Sequence, residues 1–417
     1  MPSAVESALI LGMTIFFRRS LLSLLFFFWT ISLATISSAK DSATHKYLLF
    51  VGTYTEKESK GIYAYRFDAA TSELTPLGVA AETTNPSFVT IDRSGRFLYA
   101  VNETPEYKGE KSGGVSAFSI NRETGKLTLL NTVSSRGADP CYIALDKTGK
   151  VLLVANYTGG NVAAFPIAAD GRLGEASSVV ADSGGLGPNK GRQDAPHSHW
   201  IEASADNRFA YVADLGLDRV LIYRFDAAKG TLTKGTASDA RPGSSVQDAN
   251  SSFSAKLAPG SGPRHVAFSS NGHFMYVLGE LDSTVTVFAN DAGKKLRSVQ
   301  HISALPAGFS GQNTAAEIAI HPNGKYLYTS NRGDDSIAVF SIDIRKGTLT
   351  QVGRFSTQGK TPRSFEIDPS GKLLLVANQD SDDIVVFLID EKSGKLSAGG
   401  QKLNVPSPVC LKFVAVE

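Results

Sequence analysis

Asp146-Lys-Thr-Gly149, followed by Val151-Leu-Leu-Val-Ala-Asn156, is a turn leading into a strand. Five more copies repeat it. Asp92-Arg-Ser-Gly95 leads into Phe97-Leu-Tyr-Ala-Val-Asn102, Asp206-Asn207 into Tyr211-Val-Ala-Asp214, and Asn271-Gly272 into Tyr276-Val-Leu-Gly279. Asn323-Gly324 leads into Tyr328-Thr-Ser-Asn331, and Asp368-Pro-Ser-Gly371 into Leu375-Val-Ala-Asn378. Successive closing residues, from Asn102 to Asn378, stand 54, 58, 65, 52 and 47 positions apart. That spacing suits four-stranded propeller blades with loop insertions. A seventh copy, Tyr47–Tyr54, stands at the start without its turn.

Within one repeat, residues 86–134, four runs rich in β-branched and aromatic residues follow one another: Ser87–Ile91, Phe97–Val101, Gly114–Ile120 and Leu127–Val133. Turns carrying Gly, Asn and Asp join them as hairpins, and helical periodicity is absent. The first copy has only Tyr47–Tyr54, Gly61–Phe67 and Leu74–Ala81, while Val409–Val416 at the other end is an inner-type strand with no blade after it. Pairing the two ends completes a blade and removes open sheet edges. The expected fold is all-β: a seven-bladed β-propeller with four antiparallel strands per blade, closed by pairing the C-terminal strand with the N-terminal blade.

Residues 1–39 read as a signal peptide and 40–417 as the propeller domain. Arg18-Arg19 precede the apolar run Leu21–Ala34, and Ser37 and Ala39 suit cleavage before Lys40. Met13 is an alternative start. Export to the periplasm or beyond is the expectation, with no stable membrane association after cleavage. The formal charge of +2 offers no basic excess for nucleic acid. Cys141 and Cys410 fall in inner strands of blades that are not neighbours, too far apart for a disulfide.

Propeller topology gathers the loops entering first strands and the loops joining second to third strands on one face. That face also receives the long insertions 181–196, 237–262 and 303–314, and long loops in compact domains often bind. It collects Arg192, His197 and His199, Arg264 and His265, Glu317 and Arg363 from the entering loops. The strand ends add Glu103, Tyr157, Asp214, Glu280, Arg332 and Asn378. Asn and Asp side chains at such ends also fix loops by bonding backbone. Of His197 and His199, one is expected to look into the channel. The two lack closely grouped partners, so neither a metal nor another cofactor is expected.

The motifs Pro-His-Ser-His199, Asp214-Leu-Gly-Leu-Asp218, Pro-Arg264-His-Val-Ala-Phe, Tyr-Val-Leu-Gly-Glu280, Ala-Glu317-Ile-Ala-Ile-His-Pro-Asn-Gly, Ser-Asn-Arg332-Gly and Pro-Arg363-Ser-Phe together resemble the propeller lactonase family. The resemblance runs from about Tyr47 to the end, and its motifs are spaced blade by blade. It implies a metal-free enzyme acting on sugar or muconate lactones at the channel mouth. Lactone opening needs a base to activate water and a donor for the oxyanion. His199 or Glu317 would be the base, Arg264 the oxyanion donor, and Arg332 and Arg363 an anion grip. His197, Asp214, Glu280 and Asn378 complete the candidate substrate contacts. No Gly-x-Ser-x-Gly elbow occurs, which favours direct attack by water. The expected enzyme is a monomer acting on a small lactone. A muconate-type lactonizing enzyme and a non-catalytic exported propeller binding a glycan or protein are the alternatives.

Overall fold

Val151–Asn156 is buried at every position, as are Phe274–Gly279 and Leu373–Asn378. A strand without an exposed side chain needs cover on both faces. A propeller supplies that cover by stacking each blade between two others. The computed structural model describes residues 46–235, 254–290 and 296–416, so the expected signal segment lies outside the described residues. They form seven antiparallel sheets, each with four strands in order from channel to rim, one sheet having its rim strand in two pieces. No helix among them is long and apolar enough to cross a membrane.

The inner strands, taken blade by blade, are Pro408–Ala415, Val89–Ile91, Pro140–Leu145, Ser198–Ala203, Pro263–Phe268, Thr314–Ile320 and Pro362–Ile367. Blade one joins the two ends of the propeller as expected: Pro408–Ala415 pairs antiparallel with Lys46–Thr53, with Leu48 opposite Val414 and Val51 opposite Leu411. Rim strands face solvent on one side, and Leu127–Ser134 mixes buried with exposed positions.

The repeated turn has a physical cause. Asp146 accepts backbone N–H groups of Lys150 and Val151 on Oδ1 and of Thr148 on Oδ2. Asp368 does the same for Lys372, Leu373 and Ser370. The carboxylate thus satisfies donors that the tight turn would strand. Gly171, at φ 86°, lets the turn between third and fourth strands press on the preceding blade, where an added Cβ would lie 2.4 Å from Phe97.

Blade four departs from the expected organisation. Its third strand, Arg219–Asp226, pairs with Thr231–Lys234 over one half and with Ser254–Lys256 over the other. Part of the segment read as an insertion before blade five therefore returns to complete the rim of blade four.

Candidate active site

At the mouth end of the inner strands the pairing register slips. Pro140 lies opposite Asn156 and Tyr142 opposite Ala155, leaving Cys141 without a partner. The same two-against-one arrangement skips His199 in blade four, Arg264 in blade five and Arg363 in blade seven. In blade six it skips both Ala316 and Glu317. A bulge frees a side chain from the ladder and re-aims it. The residues at these bulges are those with most to offer chemically.

A second set comes from the position after the closing residue in five of the repeats: Tyr54, Glu103, Tyr157, Glu280 and Arg332. Together with Cys141, His199, Arg363, Thr314 and the loop residue Arg192, they line a cavity of about 360 Å³. A larger cleft, about 1100 Å³, runs between blades four and five over Phe209, Tyr211, Phe225 and Phe268. None of the candidate site residues lines it, so the smaller cavity is the better candidate.

Charge organises the cavity. Glu280 meets Arg192 at 2.6 Å, Arg264 at 3.1 Å and Arg332 at 3.2 Å. Burial would raise its pKa, but Arg332, Arg264 and Arg192 outweigh burial and hold it at about 2. Glu280 is thus an ionised anchor rather than a base. Burial pushes the Arg332 guanidinium down to about 9, which leaves it protonated at neutral pH. Arg363 donates to the Tyr54 hydroxyl at 2.7 Å, and that hydroxyl lies 3.0 Å from both oxygens of Glu103. Burial raises the Glu103 carboxyl against the opposing charge of Arg363.

His199 is 4% exposed, and its Nδ1 has no hydrogen-bond partner among the described residues. Burial, then the charges of Arg264, His265 and Arg363, lower its pKa well below 6.5. It is therefore a neutral imidazole at neutral pH.

The structure separates the other candidates from this cavity. A regular strand would turn His197 and His199 to one face, but the bulge parts them. His197 stacks on Tyr157 at 4.5 Å and reaches Asp194 at 3.1 Å, outside the cavity lining. Glu317 lies beneath the mouth, 2.8 Å from His265 Nδ1. Burial holds His265 at about 4, so its neutral ring donates from Nδ1 to an ionised Glu317. Arg264 is buried behind Glu280 and also donates to the Ala316 carbonyl.

Asp214 accepts the amides of His197 and Leu217, each at 3.0 Å, and is fully buried. Asn378, likewise buried, donates to the Thr357 carbonyl and to Asp383. These strand-closing residues fix loops instead of facing the cavity. Cys141 and Cys410 are unpaired, as expected, although Cys141 lines the cavity rather than serving only as core.

Among families, the one described as lactonase, seven-bladed beta-propeller, matches residues 48–413. The chain belongs to the seven-bladed propeller lactonase family. A 6-phosphogluconolactonase of Bacillus subtilis is 34% identical over 370 residues, spanning 88% of this chain and 99% of the relative. Another from Formosa agariphila is 35% identical, spanning 76% and 85% respectively. The solved structure of a periplasmic gluconolactonase from Pseudomonas aeruginosa superposes with a TM-score of 0.80 at 37% identity, covering 89% of this chain and all of that one. Sequence reasoning did not single out Tyr54 or Thr314 in this propeller lactonase. Tyr54 follows the closing position of its repeat, as Glu103 and Glu280 do, so the repeat register carried the signal.

Proposed function

We propose that the cavity opens a sugar lactone by direct attack of water, with His199 as the general base. The observation that carries this reading is a buried, neutral His199 lining the same cavity as Arg332 and Arg363. Water held between the imidazole and the lactone carbonyl loses a proton to His199 as its oxygen bonds to the carbonyl carbon. Arg332 and Arg363 stabilise the oxyanion. The ester bond to the ring oxygen then breaks, and that oxygen takes the proton from the imidazolium to leave as a hydroxyl. The product acid ionises to an aldonate.

A strongly depressed pKa makes His199 a weak base at rest. The developing oxyanion corrects this, because its negative charge favours the imidazolium in the transition state more than in the ground state. Arg192, Arg332 and Arg363 outnumber Glu103 and Glu280 around the cavity, which suits a substrate that becomes or already is an anion. Glu280 holds the guanidiniums in place.

In this reading Glu317 supports the site through His265, and Arg264 acts through Glu280. Export with cleavage before Lys40 would make an unphosphorylated gluconolactone the natural substrate, in keeping with the periplasmic relative. The test is the rate of ring opening by the purified mature protein on gluconolactone and its 6-phosphate, with spontaneous hydrolysis subtracted. Enzyme-dependent opening of gluconolactone is expected. A rate equal to the blank for both sugars would defeat the proposal.

A further inference from the structure

Beneath the His199 strand lie two carboxyls that the reaction does not use. Asp182 follows the rim strand Ser178–Ala181 of blade three, and Asp214 closes the second strand of blade four. They are 6% and 0% exposed, and they hold neighbouring residues, Asp214 the His197 amide and Asp182 the Ser198 hydroxyl, so that the charge of Asp182 bears directly on Asp214. Asp182 Oδ2 accepts from Ser198 Oγ at 2.6 Å, and Oδ1 accepts from the Tyr223 hydroxyl. Asp214 Oδ1 accepts the amides of His197 and Leu217, while its Oδ2 is buried without a donor among the described residues. Two buried carboxyls side by side, with no ion pair to either among the described residues, are favoured with one proton between them. The orphan oxygen is where that proton belongs.

Among the described residues no ion pair reaches either carboxyl; Lys234, whose charge acts on Asp182, donates to Ser183 Oγ at 2.9 Å. Asp218, on the adjacent loop, is occupied by Gln193 and by the amides of Gly260 and Gly262. Tyr223 faces Asp182 as a neutral donor, its own pKa raised by burial and then by Asp182. Burial, followed by the charge of Asp182, raises the Asp214 carboxyl well above the ordinary range.

The pair sits at the base of one functional loop. Residues 183–196 leave from Asp182 and return at His197 and Ser198, which bond to Asp214 and Asp182 respectively. Between these ends Arg192 reaches over the cavity to Glu280 at 2.6 Å and to the Tyr157 hydroxyl at 3.2 Å. His199 is the next residue after the clamp. We propose that Asp182 and Asp214 share one proton and together clamp the base of the loop that carries Arg192, making both of them positioning residues. The kinetic part of this inference rests on the proposed lactonase reaction, and the shared proton does not.

Asp214→Asn separates the possibilities, because its amide oxygen can accept both backbone N–H groups while its amide nitrogen donates to Asp182. A carboxyl with a raised folded-state pKa contributes stability that is complete below the unfolded pKa, about 3.9, and is lost as pH rises through the folded value. Asparagine has no such loss. The melting temperature of Asp214→Asn relative to the parent should therefore climb by about 2 °C or more between about pH 5 and pH 8. A constant or falling difference overturns the shared proton.

The clamp is read kinetically on gluconolactone. Asp182→Ala should raise KM about tenfold with kcat within about threefold, whereas Asp214→Asn keeps the parental KM. A folded Asp182→Ala with parental KM overturns the clamp. Should Asp182→Ala fail to fold, Ser198→Ala removes a single bond of the clamp and is judged by the same rise in KM. A parent without lactonase activity would defeat the functional reading, while the melting experiment would still decide whether the proton is shared.

Discussion

Arg363 in blade seven donates to the hydroxyl of Tyr54 in blade one at 2.7 Å, across the seam where the ring closes. Its guanidinium also lies over the Tyr54 ring, 5.2 Å from the centroid. The same hydroxyl meets Glu103 of blade two at 3.0 Å. Blades seven, one and two are therefore tied at the cavity by side chains far apart in sequence. Closure of the propeller and assembly of the site are one event.

Truncation tests that dependence. Removing residues 405–417 deletes the inner strand of blade one and exposes Leu48, Leu49 and Val51, which are fully buried. Thermal unfolding followed by circular dichroism should show loss of the cooperative transition. A truncated chain melting with the parent would contradict closure through the terminal strand.

The pH dependence of kcat/KM follows from His199. An unperturbed histidine titrates near about 6.5, but burial and the neighbouring cations hold this one well below that value. Catalysis should stay level as pH falls from about 7 to about 6, with the acid limb displaced downwards. A half-maximal point near about 6.5 would show that the base is another group.

Glu280 couples stability to acid. Its folded pKa of about 2 lies below the ordinary 4.5, so the stability it contributes is present above 4.5 and is lost as pH falls through about 2. Glu280→Gln removes that contribution and leaves Arg192, Arg264 and Arg332 without their shared counter-charge. Breaking a buried ion pair costs about 3–5 kcal/mol. Melting scans should show a lower Tm at neutral pH and a gap to the parent that narrows in acid.

The arginines divide by position. Arg332 and Arg363 line the cavity, where the proposed reaction sets them against the oxyanion, whereas Arg264 stands behind Glu280. Steady-state kinetics of Arg332→Ala should lower kcat/KM by about 10²-fold. Arg264→Lys should cost less, because a cation beside Glu280 is retained. Equal losses would place Arg264 in direct contact with the reacting atoms.

Seven blades, their strand order and their closure were legible because a turn and the strand after it recur with one kind of physical cause, a side chain that accepts turn amides: the carboxylate of Asp92, Asp146 or Asp368, or the hydroxyl of Ser204 or Ser269. The site was only half legible. Asp214 and Asn378 look functional in sequence since they are polar and repeat at strand ends, yet burial there turns such side chains to backbone. The cavity takes the following residue, as Tyr54, Glu103 and Glu280 show. The bulges at His199, Arg264 and Arg363 leave no mark in composition, because they arise from pairing between two strands. Glu317 was misleading for a similar reason: the bulge of blade six turns it toward His265 rather than into the cavity.

The most direct measurement is kcat for gluconolactone opening by the parent and by His199→Asn, corrected for the spontaneous reaction and made on protein shown to be folded. Asparagine nearly keeps the shape of the side chain but cannot accept the proton of the attacking water. A fall of about 10²-fold or more with little change in KM is the expected result. Parental turnover in a folded His199→Asn would contradict the assignment of the base, and with it the account of how this cavity works.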